Sequence, residues 1–288
     1  MTDLIAGLPP FLVLDELLKS WLVEDIGRGD HTTQSLNLSA KRIGQAKWIA
    51  KEAGIVAGLP VAARVFQLLD PETVFIPQVT EGEVCQQGQV IAEIRGSLAA
   101  LLTGERTALN LVMRLSGIAS LTRQYVKQIA DLPTKLVDTR KTTPGLRLLE
   151  KYATQVGGAI NHRMGLDDAV MLKDNHIVAA GGIRQAIAQV RRQIPYPLTI
   201  EVETESLNQV QEALEARADI IMLDNMPVEM MQQAVELIRQ TSDRIKIEAS
   251  GNITLATIRS VAETGVDYIS SSAPVTRSTW LDVSMKIS

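Results

Sequence analysis

The sequence predicts an α/β fold whose second part is an open, incomplete α/β barrel. After Leu136, six short apolar segments alternate with segments of helical periodicity, a pattern typical of parallel strands joined by right-handed crossovers. Six βα units fall short of the eight of a closed barrel. The predicted strands are 135–140, 169–173, 198–203, 219–223, 245–249 and 267–271, and the predicted helices are 146–155, 181–194, 206–217, 227–240 and 254–263.

Bulk composition excludes several classes of protein. A chain of 288 residues holds one large domain or two moderate ones, and its net charge of −4 argues against a general nucleic-acid or membrane-surface role. Any cationic site must therefore be local. The single cysteine, Cys85, excludes an intramolecular disulfide and a CxxC metal site. With no signal-peptide pattern and no apolar run of about 18 residues, we expect a cytoplasmic protein.

The first part of the chain has a different pattern. Residues 11–24 have the spacing of an amphipathic helix, and the polar, glycine-rich residues 24–33 predict a loop. The acids of that loop either form a solvated turn or hold the edge of a site or a neighbouring subunit. Residues 43–104 are rich in strands and glycine turns. Within them, 81–96 resembles a biotin or lipoyl carrier but has no lysine at a hairpin tip, so we do not favour a carrier.

A long helix is predicted over 98–130, broken or kinked near Ser116-Gly117. Arg106 and Asn110 share one face of it, either as a helix-surface pair or as part of a site. The change from hairpins to βα repeats places the domain boundary near Ser116. We expect an N-terminal domain over 1–115, a barrel over 116–275, and a tail, 276–288, that joins the first domain.

Polar residues follow each predicted strand of the barrel, which indicates an active site at the strand carboxyl ends. The segment from Leu136 to His176 places four cations there, and buried cations require an anion beside them. Such side chains bind carboxylate or phosphate, arginine in bidentate fashion. They are Arg140, Lys141, Arg163 and Lys173.

Acidic and small residues follow the later strands. Glu203 and Asp224 are hard oxygen ligands that suit Mg²⁺ and a phosphorylated substrate. Glu201 lies on the same strand face as Glu203, where an ordinary ion pair is the alternative. Ser250 and Gly251 precede the helix predicted near Thr254 and have the composition of a phosphate cradle.

The sequence does not favour a zinc site or a cysteine nucleophile, and it gives a ligand-binding role to one histidine only. His162 is either a hydrogen-bonded scaffold or a ligand contact, and its place beside Arg163 favours contact with a ligand. His31 and His176 are expected to be structural, and the spacing of the histidines does not suit zinc. Cys85 has no adjacent base and is not predicted to be a nucleophile.

These residues stand in motifs that resemble the quinolinate phosphoribosyltransferase family, and the likeness spans nearly the whole chain. The matching stretches are EDIGRGDHTT (24–33), AKEAGIVAG (50–58), GERTALN (104–110), RLSGIA (114–119), DTRKTTPGLR (138–147), GGAINHRMGLDD (157–168), KDNH (173–176), LDN (223–225) and EASGNI (248–253). The resemblance implies an N-terminal α/β sandwich, a C-terminal open barrel of seven strands, and a homodimer or larger homo-oligomer.

The resemblance also implies a reaction and its residues. Phosphoribosyl pyrophosphate and quinolinate would give nicotinate mononucleotide, pyrophosphate and CO₂, a step of NAD biosynthesis, with Mg²⁺ and without an organic cofactor. Quinolinate would be held by Arg140, His162, Arg163, Lys173 and, across the subunit interface, Arg106. The phosphoribosyl donor and its Mg²⁺ would be held by Lys141, Glu203, Asp224, Ser250 and Gly251, with Ser271 and Ser272 at the 5-phosphate. Thr139 and Asn252 are further expected substrate-binding residues. Lys141, Glu203 and Asp224 are the expected catalytic residues, and Glu203 and Asp224 are the expected metal ligands.

Two stretches depart from the family pattern. Asn252 stands where a second glycine is usual, and Ser270 to Arg277 replaces a glycine and a Leu-Thr-His stretch, so the 5-phosphate contact of Ser271 and Ser272 rests on an atypical segment. Two other functions stay open. One is a related phosphoribosyltransferase acting on another aromatic acid without decarboxylation, and the other is a non-catalytic anion-binding barrel.

Overall fold

The computed structural model describes residues 7–36, 38 and 42–288, and its elements alternate between helix and strand over most of that length. The elements of the first part are α1 (Phe11–Ile26), α2 (His31–Ser35), β1 (Ile43–Ala50), β2 (Gly54–Ile55), α3 (Leu59–Leu69), β3 (Val74–Pro77), β4 (Val84–Cys85), β5 (Val90–Ser97) and α4 (Leu98–Gln128). Those that follow are β6 (Lys135–Val137), α5 (Arg147–Gly157), β7 (Val170–Leu172), α6 (Asp174–Ala180), α7 (Ile183–Arg191), β8 (Ile200–Thr204), α8 (Leu207–Glu215), β9 (Ile220–Asp224), α9 (Val228–Thr241), β10 (Lys246–Ser250), α10 (Ile258–Ala262), β11 (Tyr268–Ser270), α11 (Ala273–Thr276) and β12 (Val283–Ile287).

The chain divides into two compact units. The first comprises 1–123, 143–158 and 277–288, and the second comprises 124–142 and 159–276. The α5 helix thus belongs to the first unit, although in the sequence it falls between β6 and β7 of the second unit. The domain boundary that the sequence places near Ser116 falls inside α4 and stays a prediction.

The first unit contains a four-stranded antiparallel sheet in the order β12-β1-β5-β3. Alternate residues of β1 are buried, as expected of a strand with one face on a core. Trp48 on that strand meets Phe66 of α3 at 6.1 Å and Phe75 of β3 at 5.5 Å between ring centroids, both edge to face. An aromatic cluster therefore holds helix and sheet together, which agrees with the predicted α/β sandwich.

Two local predictions in this unit were wrong. Residues 24–33 are not a loop throughout, because α1 extends to Ile26 and α2 begins at His31 with the Asp30 carboxylate accepting from the Thr33 N–H at 3.0 Å. Helix α4 runs through Ser116-Gly117 without the predicted break, and a kink there stays a prediction. A Cβ on Gly117 would lie 1.8 Å from the Thr279 carbonyl oxygen, so glycine is needed there for close approach of the backbone, not for a helix break.

The second unit is a parallel sheet in the order β6-β11-β10-β9-β8-β7. Every pairing in it is parallel, and Ile160 adds an isolated parallel bridge to Val137 on the outer side of β6. No pairing among the described residues joins Ile160 to β7, so the ring of strands is open. The six predicted strands and the open α/β barrel are confirmed. Since the strands run in one direction, their carboxyl ends lie along one edge of the sheet.

No helix in the described part of the chain is long and apolar enough to cross a bilayer.

Candidate active site

The carboxyl ends of the parallel strands present two neighbouring guanidinium groups. Arg140 follows β6, and Arg163 lies in the loop between Ile160 and β7. The Arg140 Nε is buried without a hydrogen-bond partner, while Arg163 Nη1 donates to the Ala169 carbonyl at 2.8 Å. Burial, and next the charge of Arg140, lower the pKa of Arg163. Two like charges with a buried, unpartnered N–H have the chemistry of an anion-binding site, and we call these two residues the arginine pair.

The loop that carries Arg163 is held by a buried carboxylate that the sequence reasoning did not identify. Asp138, which follows β6, accepts from the His162 N–H at 2.8 Å and from the Asn161 amide at 2.7 Å. The Arg163 N–H in turn donates to His162 Nδ1 at 2.7 Å. The backbone at Arg163 and the imidazole of His162 are therefore held in a fixed arrangement.

His162 Nε2 faces two carboxylates from neighbouring parts of the sheet. It lies 3.2 Å from Glu201 Oε2 on β8 and 3.4 Å from Glu248 Oε2 on β10. Burial lowers the pKa of His162, but hydrogen bonds to Glu201 and Glu248 outweigh it and raise the pKa. Nδ1 accepts from the Arg163 N–H at 2.7 Å, so that nitrogen carries no proton and the ring proton lies on Nε2.

The same three side chains have the composition of a metal site. A metal bound at Nε2 requires the other ring nitrogen to carry a proton and donate it. Here Nδ1 accepts from a backbone N–H, so the hydrogen-bonding pattern is that of an Nε2–H imidazole between carboxylates and not that of a metal centre.

Glu203 at the end of β8 and Asp224 at the end of β9 form an acidic pair. Burial first, and then the charge of Asp224, raise the pKa of Glu203 to about 7, against a smaller opposing effect of Lys173. A hydrogen bond from one carboxyl to the other contributes to the shift. Two adjacent carboxylates that hold a proton near neutrality suit a divalent cation, which can replace that proton.

An amide chain continues from the acidic pair along the strand ends. Asn225 Nδ2 donates to Asp224 Oδ2 at 2.6 Å, and Asn252 Nδ2 donates to Asn225 Oδ1 at 3.1 Å. Both asparagines have left-handed backbones, each with φ of 52°. Gly251 lies beneath them with φ of 97°, and a Cβ there would fall 2.2 Å from Asn225 Oδ1. The strand ends are thus packed closely in conformations that favour Gly and Asn.

The predicted phosphate cradle differs from expectation. Helix α10 begins at Ile258 and not near Thr254, so Ser250 and Gly251 do not open a helix. Ser271 is buried, and its hydroxyl accepts from the Ala273 N–H at 3.2 Å. Ser272 is half-buried and precedes the short α11. The anion-binding role of these loops remains a prediction, without a helix N-terminus at Gly251 to support it.

The remaining predicted residues are placed as follows. Lys141 and Lys173 are exposed at the ends of β6 and β7, and the Thr139 hydroxyl accepts from the Lys141 N–H at 3.0 Å. Arg106 is on α4 in the first unit, with 62% of its side chain exposed and Glu105 4.0 Å away. His176 Nδ1 accepts from the Lys173 N–H at 3.1 Å, which supports the structural role predicted for it.

Sequence reasoning missed Asp138 and Glu248 and gave Asn225 no role, although all three contact predicted site residues. A signal existed for Glu248, because it is a charged residue between the apolar residues Ile247 and Ala249 of strand β10 and needs a partner there. Asn225 follows a strand directly, and asparagine is favoured at positive φ, but the sequence alone does not show what its amide contacts.

Comparisons with known proteins point to one family. The family profile described as quinolinate phosphoribosyl transferase, N-terminal domain, matches residues 30–116, and the profile of the C-terminal domain matches residues 118–286. A Synechocystis protein named probable nicotinate-nucleotide pyrophosphorylase (carboxylating) is 61% identical over 280 residues, which cover 97% of this chain and 94% of that protein. A Bacillus subtilis protein of the same name is 45% identical over 276 residues, covering 96% and 94%. The crystal structure of NadC from Streptococcus pyogenes superposes with a TM-score of 0.92 at 45% identity, covering 97% of this chain and 98% of that one.

Proposed function

The chain belongs to the quinolinate phosphoribosyltransferase family, and from that membership and the strand-end site we propose that it transfers the phosphoribosyl group of phosphoribosyl pyrophosphate to quinolinate with decarboxylation. The products are nicotinate mononucleotide, pyrophosphate and CO₂, as in de novo NAD biosynthesis. The relatives named above support the reaction. Within the site, the observation that carries the proposal is the arginine pair, with its buried, unpartnered Arg140 Nε, at the same sheet edge as the acidic pair.

The arginine pair binds the two adjacent carboxylates of quinolinate. A guanidinium forms parallel hydrogen bonds to a carboxylate, and two neighbouring guanidiniums suit two carboxylates on one ring. Lys173, at the end of β7, adds a third cation. A dianion offsets the repulsion between Arg140 and Arg163 better than a monoanion does, which is the physical basis for preferring a diacid.

The acidic pair acts on the ribose. The quinolinate nitrogen attacks C1 as pyrophosphate leaves, so positive charge develops on the ribosyl ring in an oxocarbenium-like state. Ionised Glu203 and Asp224 stabilise that charge, and Lys141 stabilises the negative charge that develops on the pyrophosphate. These residues act through position and charge, because the reaction needs no covalent nucleophile.

Glu203 and Asp224 are also the residues that would hold Mg²⁺, through water or directly. When bound, the ion supplies charge neutralisation for the leaving pyrophosphate. The raised pKa of Glu203 supports this assignment, since it reflects burial and a neighbouring carboxylate without a cation. No organic cofactor is part of the proposal.

Loss of CO₂ follows from the product of the first step. Once the ring nitrogen carries the ribosyl group it is cationic, and the ring can stabilise the carbanion left at C2 when its carboxylate departs. The protein's contribution is to keep the ring fixed by its carboxylates until transfer is complete. The carbanion then takes a proton from water to give the C2–H of nicotinate mononucleotide, and no protein acid is assigned to this step.

The test measures both products. Purified protein with quinolinate, phosphoribosyl pyrophosphate and Mg²⁺ should release CO₂ and pyrophosphate in equal amounts, detected from carboxyl-labelled quinolinate and by a coupled pyrophosphate assay. Nicotinate, which lacks the second carboxylate, should be a poor substrate. Turnover of nicotinate without turnover of quinolinate indicates a related phosphoribosyltransferase instead, and no turnover of either acid indicates a non-catalytic anion-binding barrel.

A homodimer with shared sites is a further part of the proposal. Arg106 is exposed on α4, and an exposed arginine is available to a neighbouring subunit. If Arg106 of the partner subunit completes each diacid site, mixing Arg106→Ala with Arg140→Ala chains should restore part of the activity that each lacks alone. No restoration, with mixed dimers demonstrated by differential tagging, contradicts the shared site.

We also propose that the enzyme acts in the cytoplasm. The supporting observation is that its single cysteine is free and buried, as expected of a protein from a reducing compartment.

A further inference from the structure

The second unit buries two acids that have no role in the proposed reaction. Glu201 on β8 is 2% exposed and Glu248 on β10 is 4% exposed. Each directs Oε2 at His162 Nε2, and each leaves Oε1 buried without a hydrogen-bond partner. Burying two carboxylates with half of their acceptors unused is costly, so their retention requires an explanation.

His162, Glu201 and Glu248 come from separate parts of the second unit, and both carboxylates face the same ring N–H of His162. The ring nitrogen Nε2 carries that hydrogen, with a carboxylate oxygen at 3.2 Å on one side and another at 3.4 Å on the other. The opposite ring nitrogen accepts from the Arg163 N–H at 2.7 Å. Because both nitrogens belong to one rigid ring, the contacts of Nε2 with the carboxylates and the contact of Nδ1 with Arg163 are coupled.

Arg163 is therefore held at two points. Its backbone N–H is fixed by the imidazole, and its Nη1 is fixed by the Ala169 carbonyl. Both nitrogens of the ring face protein groups, so His162 acts on the site through Arg163. We infer that Glu201, Glu248 and His162 form a positioning triad that fixes Arg163 beside Arg140 to receive the second carboxylate of the diacid, an inference that rests on the proposed function.

The change in dicarboxylate affinity on removing a glutamate distinguishes an electrostatic role from a positioning role, because the two roles predict changes of opposite sign. Negative charge beneath an anion site repels a dianion, so removing a glutamate should tighten dicarboxylate binding if charge were the whole effect. A positioning role predicts weaker binding, because the guanidinium loses its orientation. Glu248 separates the two effects better than Glu201, whose charge also acts on Arg163.

The experiment compares Glu248→Leu, which removes the acceptor, with Glu248→Gln, which removes the charge but keeps a carbonyl acceptor. Phthalate, a ring dicarboxylate without a nitrogen to react, is titrated calorimetrically into each full-length protein. We expect Glu248→Leu to weaken phthalate binding by about 10-fold, the effect expected from loss of one hydrogen bond to a charged group, and Glu248→Gln to weaken it less. In steady-state kinetics the KM for quinolinate should rise while the KM for phosphoribosyl pyrophosphate stays unchanged.

Glu81→Gln is the matched control, since Glu81 is a buried carboxylate of the first unit that accepts from the Tyr152 hydroxyl and from the Gly58 and Leu59 N–H groups. It tests whether loss of any buried carboxylate weakens phthalate binding. If Glu248→Leu does not fold, His162→Asn and His162→Gln replace it. Asparagine keeps an acceptor near the Nδ1 position and should bind phthalate more tightly than glutamine.

Two results overturn the triad. One is phthalate binding in Glu248→Leu that is as tight as in the unmodified protein, or tighter, and the other is equal binding by the two His162 variants. Release of CO₂ from quinolinate by the unmodified protein is measured in parallel. Its absence contradicts the proposed function, whereas its presence together with either of those results contradicts only the triad.

Discussion

The arginine pair and the acidic pair lie at the same edge of one sheet, and each brings like charges together. They differ in how the repulsion can be relieved. Glu203 is able to hold a proton near neutral pH and hydrogen-bonds to Asp224. The arginine pair has no such exchange, because guanidinium groups are not deprotonated in proteins, so an anion must offset its charge.

The consequence is that the two pairs respond differently to pH. The arginine pair requires an anion at every physiological pH. The acidic pair requires a cation only once its proton is lost. Substitutions in the arginine pair should therefore weaken binding of the diacid alone. Substitutions in the acidic pair should weaken binding of the metal and of the phosphoribosyl donor, and the size of that effect should depend on pH.

The largest effect is expected for Arg140→Ala. It removes a guanidinium whose Nε is buried without a protein partner, and truncating one member of a buried charge pair costs roughly 2–5 kcal/mol, at least about 30-fold in kcat/KM for quinolinate. Arg140→Lys keeps the charge but not the fork and should recover part of the loss. An unchanged KM for quinolinate in Arg140→Ala would show that the arginine pair does not bind the diacid.

Asp224→Asn should lower activity less than Arg140→Ala does, and the substrate affected should be phosphoribosyl pyrophosphate instead of quinolinate. It keeps the shape of the side chain but removes one charge of the acidic pair, and kcat/KM for phosphoribosyl pyrophosphate should fall by about 10- to 100-fold, as for the loss of a metal or transition-state contact. Phthalate titration serves as the control and should give the same affinity as the unmodified protein. Full activity with an unchanged Mg²⁺ requirement contradicts the assignment of the metal to this pair.

The pH dependence of stability provides a test that does not depend on turnover. The folded pKa of Glu203, about 7, lies above its ordinary value of 4.5. The folded state therefore binds this proton more tightly, and the stability that it contributes is complete below pH 4.5 and is lost as the pH rises through about 7.

Mg²⁺ should replace the lost proton. We expect it to raise the Tm more at pH 8 than at pH 6, because only the ionised pair attracts the cation fully. In Asp224→Asn the Mg²⁺-induced difference between the two pH values should shrink. An equal rise in Tm at both pH values, measured by scanning fluorimetry in matched buffers, contradicts the role of the acidic pair in metal binding.

The sequence predicted the parallel strands well because each is short, apolar and bounded by polar residues, and those properties are local. It could not predict that Ser116-Gly117 continues a helix, since the reason for glycine is a carbonyl from Thr279, far along the chain. The same limit applies to the site. Arg140 and Glu203 are recognisable from their places after strands, whereas the contact of Glu248 with His162 joins residues 86 positions apart and depends on sheet order.

The smallest expected effect on activity comes from the contact between Asn252 and Asn225, two residues that are also far apart in the sequence. Asn252→Gly removes the 3.1 Å hydrogen bond to the Asn225 amide, but glycine accepts the φ of 52° without strain. The loss should equal one exposed hydrogen bond, at most about 1 kcal/mol or roughly 5-fold in the KM for phosphoribosyl pyrophosphate. Asn252→Ala separates backbone from side chain, because it loses the same bond but keeps a Cβ at a positive φ that alanine tolerates less well than asparagine, so it should be less stable than Asn252→Gly at a similar KM. If both variants keep the KM of the unmodified protein, Asn225 holds Asp224 without help from Asn252, and the acidic pair is oriented by its own strand ends.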